Sequence, residues 1–183
     1  MSLLILDLQN GFLNRLPETL AKSIVDNTLV ASSHLDTILV RVALTAKQIQ
    51  ETPDRVIFNA FRENPAMAAS VDPDSEAAQP HAKLAKLGPL YTKIRPGAFV
   101  TGAVDSKILK KQVFIAGMAT SGAVLFAVTQ LADLDYDLYI LEDCCVDPDE
   151  EIHKVLMEKF FPKHTKVIKS SDVEGILAKN AAK

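Results

Sequence analysis

Two charged residues and one turn are the parts of this sequence that could do chemistry. Asp7 and Lys93 each lie at the end of a predicted strand, and GMATSGAV, residues 117–124, joins another strand end to a helix. An aspartate and a lysine that meet in low dielectric support proton transfer, because small changes of environment shift either pKa by whole units. The amides of residues 119–123 open the helix and would attract an oxyanion or a carboxylate.

Each of these features also has an ordinary structural explanation. A lone aspartate after a strand often caps a loop or a helix, and Asp7 with Lys93 could form a purely structural ion pair. The hydroxyl of Ser121 could cap the helix that follows it. The three features together predict a site, because all of them are expected at one edge of the sheet.

Strands and helices alternate along the chain, and this alternation predicts the sheet. The strands are continuous apolar runs, which is typical of a parallel sheet buried on both faces. The sequence therefore predicts one α/β domain over residues 1–183, with a three-layer Rossmann-like fold and a mostly parallel six-stranded sheet between helices. The predicted strands are residues 3–8, 37–44, 90–94, 112–117, 136–142 and 165–169.

Two regions between the strands bear on the site. Residues 51–89 are rich in Pro, Asp and Ala and predict a long excursion with one short element at RVIFNAF. Asp147, followed by Pro148 and Glu150, predicts the start of a helix that runs to about Phe160.

Ligands of such sheets bind beyond the carboxyl ends of the strands, where the strand order reverses. Asp7 and Gln9 follow the first predicted strand, Lys93 lies near the end of the third, and residues 117–123 follow the fourth. We therefore expect these residues to face one pocket.

Composition narrows the classes of partner. The 20 basic and 23 acidic residues give a net charge of −3, and the basic residues are scattered, which argues against nucleic acid. No apolar run approaches the length of a membrane span. The first residues, MSLLILDLQN, lack a basic region and a small-residue cleavage site, so we expect no secretory signal. Cys144 and Cys145 are adjacent and poorly placed to form a disulfide with each other, which favours the reducing cytoplasm.

The histidines do not predict a metal site. No ligand pair with metal-like spacing is found among His34, His81, His153 and His164. We expect no metal and no cofactor, and a small molecule as the substrate or ligand.

Three motifs in order carry a family resemblance. DLQNGFL, KIRPGAF and GMATSGAV, with EDCCVDPDEEIHKVLMEKFFP, resemble the signature regions of the isochorismatase-like (cysteine hydrolase) superfamily over residues 3–173. The resemblance implies a triad of Asp, Lys and Cys. Asp7 and Lys93 match the first two members, but Ala123 falls at the position of the cysteine. The metal-binding Asp-x-His pattern of nicotinamidases has no counterpart.

The resemblance also implies a pocket and an assembly. Relatives have a non-proline cis peptide in this turn, which by position would be Met118–Ala119, and they form dimers or larger homo-oligomers. The residues implied to contact the substrate are Gln9, Phe12, Phe99, Met118, Ala119, Thr120 and Ser121.

Ala123 limits the possible functions. A methyl group cannot attack a carbonyl. With Ala123 at the position of the cysteine, amide hydrolysis of the cysteine type is therefore excluded. Isochorismatases need no cysteine, because an aspartate protonates a vinyl ether and water captures the resulting oxocarbenium ion. The first hypothesis is therefore a hydrolase of a small metabolite, with Asp7 as general acid/base and Lys93 orienting it or binding the substrate.

Two other hypotheses stay open. The chain could be a catalytically inactive relative that binds a small ligand or serves an assembly, or an amide hydrolase with an unexpected nucleophile. Arg41, Arg62 and Arg95 are available to hold a dicarboxylate such as isochorismate, but the sequence puts none of them in the pocket.

Overall fold

A six-stranded parallel sheet forms the centre of the molecule. The computed structural model describes residues 1–181, and in it every pair of neighbouring strands is parallel, in the order β3-β2-β1-β4-β5-β6. The predicted fold class is confirmed. The strands are β1 Ser2–Leu6, β2 Asp36–Val42, β3 Leu90–Lys93, β4 Gln112–Met118, β5 Asp137–Val146 and β6 Lys166–Ile168.

Helices cover both faces of the sheet. The α-helices are α1 Asn10–Leu13, α2 Glu18–Ser32, α3 Ala46–Gln50, α4 Val56–Glu63, α5 Pro65–Ala69, α6 Leu125–Ala132, α7 Glu150–Val155 and α8 Val173–Ala181. No helix within residues 1–181 is long and apolar enough to cross a membrane.

The central strand β1 shows why its sequence is apolar throughout. Leu3 and Ile5 pack into one hydrophobic cluster with α2 and α8, whereas Leu4 and Leu6 pack into a second cluster with α6. Successive side chains of a strand point to opposite faces, so a strand covered on both faces needs apolar residues at every position.

The region predicted as a long excursion contains more helix than expected. Besides α4, which includes most of the predicted RVIFNAF element, it contains α5 and a short 3₁₀ turn, Glu76–Ala78. Phe58 and Phe61 lie three residues apart on α4 and are both buried, in a third hydrophobic cluster that also contains Val42. This packing holds α4 over the carboxyl end of β2.

The predicted helix start at Asp147 is wrong. The carboxylate of Asp149 accepts hydrogen bonds from the amides of Glu151 and Ile152, so α7 begins at Glu150 with Asp149 as its cap. Strand β5 continues to Val146, four residues beyond its predicted end, which leaves Asp147 in the loop at the edge of the sheet.

Gly117 allows β1 and β4 to approach closely beside the site. Its φ is 149°, and a Cβ at this position would lie 2.3 Å from the carbonyl oxygen of Leu6, its partner in the sheet register. Strand order reverses between β1 and β4, so this contact lies at the point where ligands bind in such folds.

Gly117→Ala should therefore destabilise the fold. We expect a loss of about 2–4 kcal/mol in the free energy of unfolding, because the new methyl group clashes with backbone and the positive φ disfavours any side chain. Urea denaturation measures it. The matched control is Gly175→Ala in α8, where nothing lies within 4 Å of the new Cβ and stability should hold or rise. Equal stability of the two variants would contradict the close approach of β1 and β4 at Gly117.

Candidate functional site

Asp7 occupies a sharp turn immediately after β1. Its φ is 53°, in the left-handed region that Asp tolerates better than most residues. Its amide donates to the carbonyl oxygen of Val40 at 2.9 Å, and its own carbonyl accepts from the amide of Gln9 at 2.8 Å. These bonds fix the turn, and Asp7 lines a cavity at this edge of the sheet.

Lys93 reaches Asp7 across the end of the intervening strand. It is the last residue of β3 and pairs in register with Val42 of β2. Its Nζ donates to Asp7 Oδ2 at 2.7 Å, and the two side chains are only 1% and 6% exposed. Asp7 Oδ1 is buried and has no hydrogen-bond partner among the described residues.

This environment shifts the protonation equilibrium of Asp7 toward the protonated form. Burial raises the pKa of its carboxyl group above the ordinary 3.8, because a charged carboxylate loses hydration there, while the ammonium group of Lys93 opposes the rise. A buried oxygen without a partner is uncommon and marks an unfilled hydrogen-bonding position. The pair can hold a proton and deliver it to a bound molecule.

The turn after β4 forms the adjoining wall. The Met118–Ala119 peptide bond is cis, and Thr120–Val124 form one π-helical turn that is kinked at Gly122. Ala123 is buried and lines the same cavity as Asp7 and Lys93. The structure thus brings these three residues to one cavity.

One amide of this turn already holds a carboxylate of the protein. The Ser121 amide donates to Asp147 Oδ2 at 2.7 Å, and Asp147 Oδ1 accepts from the amide of Asp149 at 3.1 Å. Asp147 is buried, and these two hydrogen bonds hold its carboxylate group in position. Asp147 therefore occupies the Ser121 amide, and the expectation that other amides of residues 119–123 hold a substrate oxyanion stays a prediction.

The cavity has a volume of about 880 Å³, enough for a small metabolite. It is lined by six of the residues predicted from sequence, which are Asp7, Phe12, Lys93, Met118, Ala119 and Ala123. The other four, Gln9, Phe99, Thr120 and Ser121, are not among its lining residues.

Three of these four hold neighbouring segments in place. The Gln9 side chain is fully buried, where it donates to the carbonyl oxygen of Ser70 at 2.9 Å and accepts from the amide of Val42 at 2.8 Å. Thr120 Oγ1 lies 2.8 Å from Nδ1 of His153, and Ser121 holds Asp147.

Phe99 also lies behind the lining. Its ring packs against the cluster on the α6 face, and its amide donates to Gln130 Oε1 at 3.1 Å. The sequence identified these four positions but not the direction in which each side chain points.

Several residues line the cavity without having been predicted from the sequence. Arg95, which the sequence left unplaced, faces the cavity, and its guanidinium group stacks over the ring of Phe58 at 5.2 Å. Arg15 also lines the cavity. The other two arginines lie outside it, where Arg41 donates to Thr92 and Arg62 donates to Thr52.

The cavity has further lining residues that the sequence did not predict, which are Leu20, Ile24, Ile57, Phe61, Glu142, Asp147, Glu150 and His153. The three-residue spacing of Phe58 and Phe61 was the available signal for the apolar wall.

Neither cysteine supplies a ready nucleophile. Both are free and buried, and Cys145 lines the cavity. Burial raises the pKa of Cys145 to about 12 and that of Cys144 above its ordinary range, so both remain thiols near neutral pH. Within residues 1–181, no group of His, Cys, Asp and Glu side chains is arranged to hold a metal ion.

Lys93→Met tests the electrostatics of the pair. The pKa of Asp7 should rise further, because the variant loses the charge and hydrogen bond that lower it. In the wild type, folded protein keeps a proton that the unfolded chain releases near pH 3.8, so stability falls as pH rises from 3.8 through the folded pKa. In the variant that fall should extend to higher pH. Carboxyl NMR titration measures the pKa, with exposed Lys86→Met as control; an unchanged or lower value would contradict the pairing.

Comparison with known proteins agrees with the fold and with the motifs. The family model described as the isochorismatase domain matches residues 1–172. No curated protein sequence matches the chain.

Solved structures share the whole architecture at low identity. An isochorismatase family protein from Desulfovibrio vulgaris subsp. vulgaris str. Hildenborough is 18% identical, with a TM-score of 0.74 and 97% of each chain covered. A cysteine hydrolase from Pseudomonas syringae pv. phaseolicola 1448A is 11% identical, with a TM-score of 0.75 and coverage of 97% of this chain and 92% of that one. An isochorismatase family protein from Burkholderia thailandensis is 18% identical, with a TM-score of 0.71 and coverage of 97% and 95%. The chain belongs to the isochorismatase family.

Proposed function

We propose that this chain is a hydrolase of a small metabolite that works without covalent cysteine catalysis and uses Asp7 as its general acid/base. One observation carries the proposal. The buried carboxyl group of Asp7 has Lys93 on one oxygen and no partner on the other among the described residues, beside a cavity of about 880 Å³.

Ala123 supports a mechanism that begins with protonation. In this proposal it stands where cysteine hydrolases of the family carry their nucleophile, and its methyl group cannot attack a substrate. Cys145 does not replace the missing thiolate, because burial raises its pKa to about 12. Asp7 and Lys93 are then the two members of the family's triad that can still take part in a reaction.

The bond that suits this pair is a vinyl ether. Asp7 delivers its proton to the terminal carbon of the double bond, and the ether oxygen stabilises the resulting oxocarbenium ion. Water adds to the cationic carbon, and the hemiketal separates into a carbonyl compound and an alcohol. The ammonium group of Lys93, 2.7 Å from Oδ2, stabilises the carboxylate that forms when Asp7 gives up its proton.

The rest of the cavity favours a compact, largely apolar substrate with an anionic group. Its walls include the apolar side chains of Phe12, Ile57 and Phe61. Arg15 and Arg95 also line the cavity, and neither forms a salt bridge with a carboxylate among the described residues. These arginines are the groups in this cavity suited to a substrate carboxylate.

A catalytically inactive relative that binds a small ligand or serves an assembly is the second candidate. Ala123 favours it, because loss of a nucleophile is also how an enzyme becomes a binding protein. The two candidates differ in one measurable property, which is turnover that depends on Asp7. The predicted homo-oligomer and the cytoplasmic location stay predictions.

Asp7→Asn should abolish hydrolysis of a vinyl ether. With 4-nitrophenyl vinyl ether as the probe and release of 4-nitrophenol as the readout, we expect a loss of at least about 10²-fold in kcat, typical for removal of a general acid. Wild-type activity should fall at alkaline pH, as the protonated form of Asp7 is lost. Asp36→Asn, at an exposed carboxylate, is the control.

The panel includes isochorismate, esters and amides beside the aryl vinyl ether. Full activity of Asp7→Asn would overturn the assignment of Asp7. Wild-type protein that turns over no member of the panel faster than buffer would overturn the hydrolase and support the inactive relative.

Ala123→Cys tests where the Ala123 side chain points. We expect one iodoacetamide adduct on the folded variant, because position 123 lines the cavity beside a cationic lysine. The folded wild type should form almost none, since Cys144 and Cys145 are buried thiols of raised pKa. Mass spectrometry of the intact protein counts the adducts, and an unreactive variant would contradict the assigned position.

A further inference from the structure

The proposed hydrolysis leaves one proton without an assigned acceptor. Asp7 supplies a proton to carbon, but the water that captures the oxocarbenium ion must also lose one. Among the described residues, His153 is the one histidine that lines this cavity, and it lies on α7, the helix that follows β5. A role for His153 in this second proton transfer rests on the proposed function.

One ring nitrogen of His153 is held by a hydrogen bond. Nδ1 lies 2.8 Å from Oγ1 of Thr120, and Thr120 is fully buried in the turn that also carries Ala123. The structure describes no hydrogen bond to Nε2 within residues 1–181. A histidine that is fixed through one nitrogen and keeps the other available, in a cavity, is arranged to exchange protons with a ligand.

Carboxylates line the same cavity as His153. Glu142 of β5 and Asp147 of the following loop both line the cavity, as does Glu150 on the same helix as His153. Asp147 keeps its charge in place through the amides of Ser121 and Asp149. The negative charges of Asp147 and Glu142 would stabilise an imidazolium ion formed during turnover.

The resting ring is favoured in its neutral form. Burial lowers the pKa of His153 below its ordinary 6.5, and the charges of Asp147 and Glu142 oppose that shift. The turn that packs against the ring contributes Thr120, which does not titrate. A neutral ring beside fixed carboxylates can accept a proton and return it.

We propose that His153 is the general base that deprotonates the attacking water. Water oxygen bonds to the oxocarbenium carbon as its proton passes to Nε2. The hemiketal hydroxyl then gives its proton to the Asp7 carboxylate, the carbon–oxygen bond to the alcohol breaks, and His153 returns its proton to the leaving oxygen. The cycle consumes one water, yields the alcohol and the carbonyl compound, and regenerates both side chains.

This role requires one tautomer of His153. The proton must lie on Nδ1, which donates it to Thr120 Oγ1, so that Nε2 presents a lone pair. Thr120 is then a positioning residue, because it acts only through the histidine.

His153→Asn tests the base by kinetics with 4-nitrophenyl vinyl ether. We expect kcat to fall about 10²–10⁴-fold with little change in KM. In the wild type, activity should also fall at acid pH, because a protonated His153 cannot accept the proton of the water. We expect this acidic limb of the pH profile to disappear in the variant, since its activity would depend only on the protonated form of Asp7. Exposed His34→Asn is the matched control and should keep the wild-type profile.

The outcomes separate this inference from the proposed function. If Asp7→Asn is inactive while His153→Asn keeps its kcat or its acidic limb, the hydrolase stands and the base is overturned. A fall in kcat that accompanies a lower Tm and an unchanged pH profile would show a structural role and would also overturn it. Activity retained in Asp7→Asn, or no turnover by the wild type, would remove both.

A second measurement needs no turnover. The ¹⁵N chemical shifts of the His153 ring in the resting wild-type protein report its tautomer, and we expect the proton on Nδ1. A proton on Nε2 would overturn the proposal. Thr120→Val should lower kcat and disturb the tautomer, whereas Thr120→Ser keeps the hydroxyl and should restore both.

Discussion

The site depends on the 2.7 Å contact between Lys93 Nζ and Asp7 Oδ2. Both groups lie out of water, where burial penalises each charge and makes the proton count of the pair sensitive to anything that enters the cavity. A buried pair of this kind is a weak source of stability. Its position beside a cavity, with one carboxyl oxygen left without a partner among the described residues, is what suits it to chemistry.

The fold creates this contact through the order of its strands. Asp7 and Lys93 are 86 residues apart, yet β1 and β3 flank β2 and all three strands end at the same edge. The reversal of strand order between β1 and β4 then adds the turn that carries Ala123. The loop after β5 adds Asp147, which occupies the amide of Ser121 and so keeps an internal charge beside the cavity.

The sequence predicted the sheet and the acid–amine pair for a physical reason. Continuous apolar runs identify strands buried on both faces, and a charged residue that ends such a run must lie at the edge of the sheet. The direction of each side chain does not follow from these patterns. Gln9 and Thr120 occur in the expected motifs but bind neighbouring segments instead of lining the cavity.

The choice between Asp147 and Asp149 as a helix cap shows the same limit. Both residues suit the start of a helix, and the decision depends on where β5 stops pairing with its neighbours, which local sequence does not determine. Arg95 and Phe58 face the cavity because a loop and α4 fold over it together. Such packing between distant segments is visible only in three dimensions.

The central claim is that Asp7 carries the proton used in the reaction. Neutron crystallography of the deuterium-exchanged protein, at the pH of fastest turnover, would locate that proton directly. We expect a deuteron on Asp7 Oδ1 and a charged ammonium group on Lys93. A bare carboxylate on Asp7 at that pH would instead make the pair a structural ion pair and would contradict the claim.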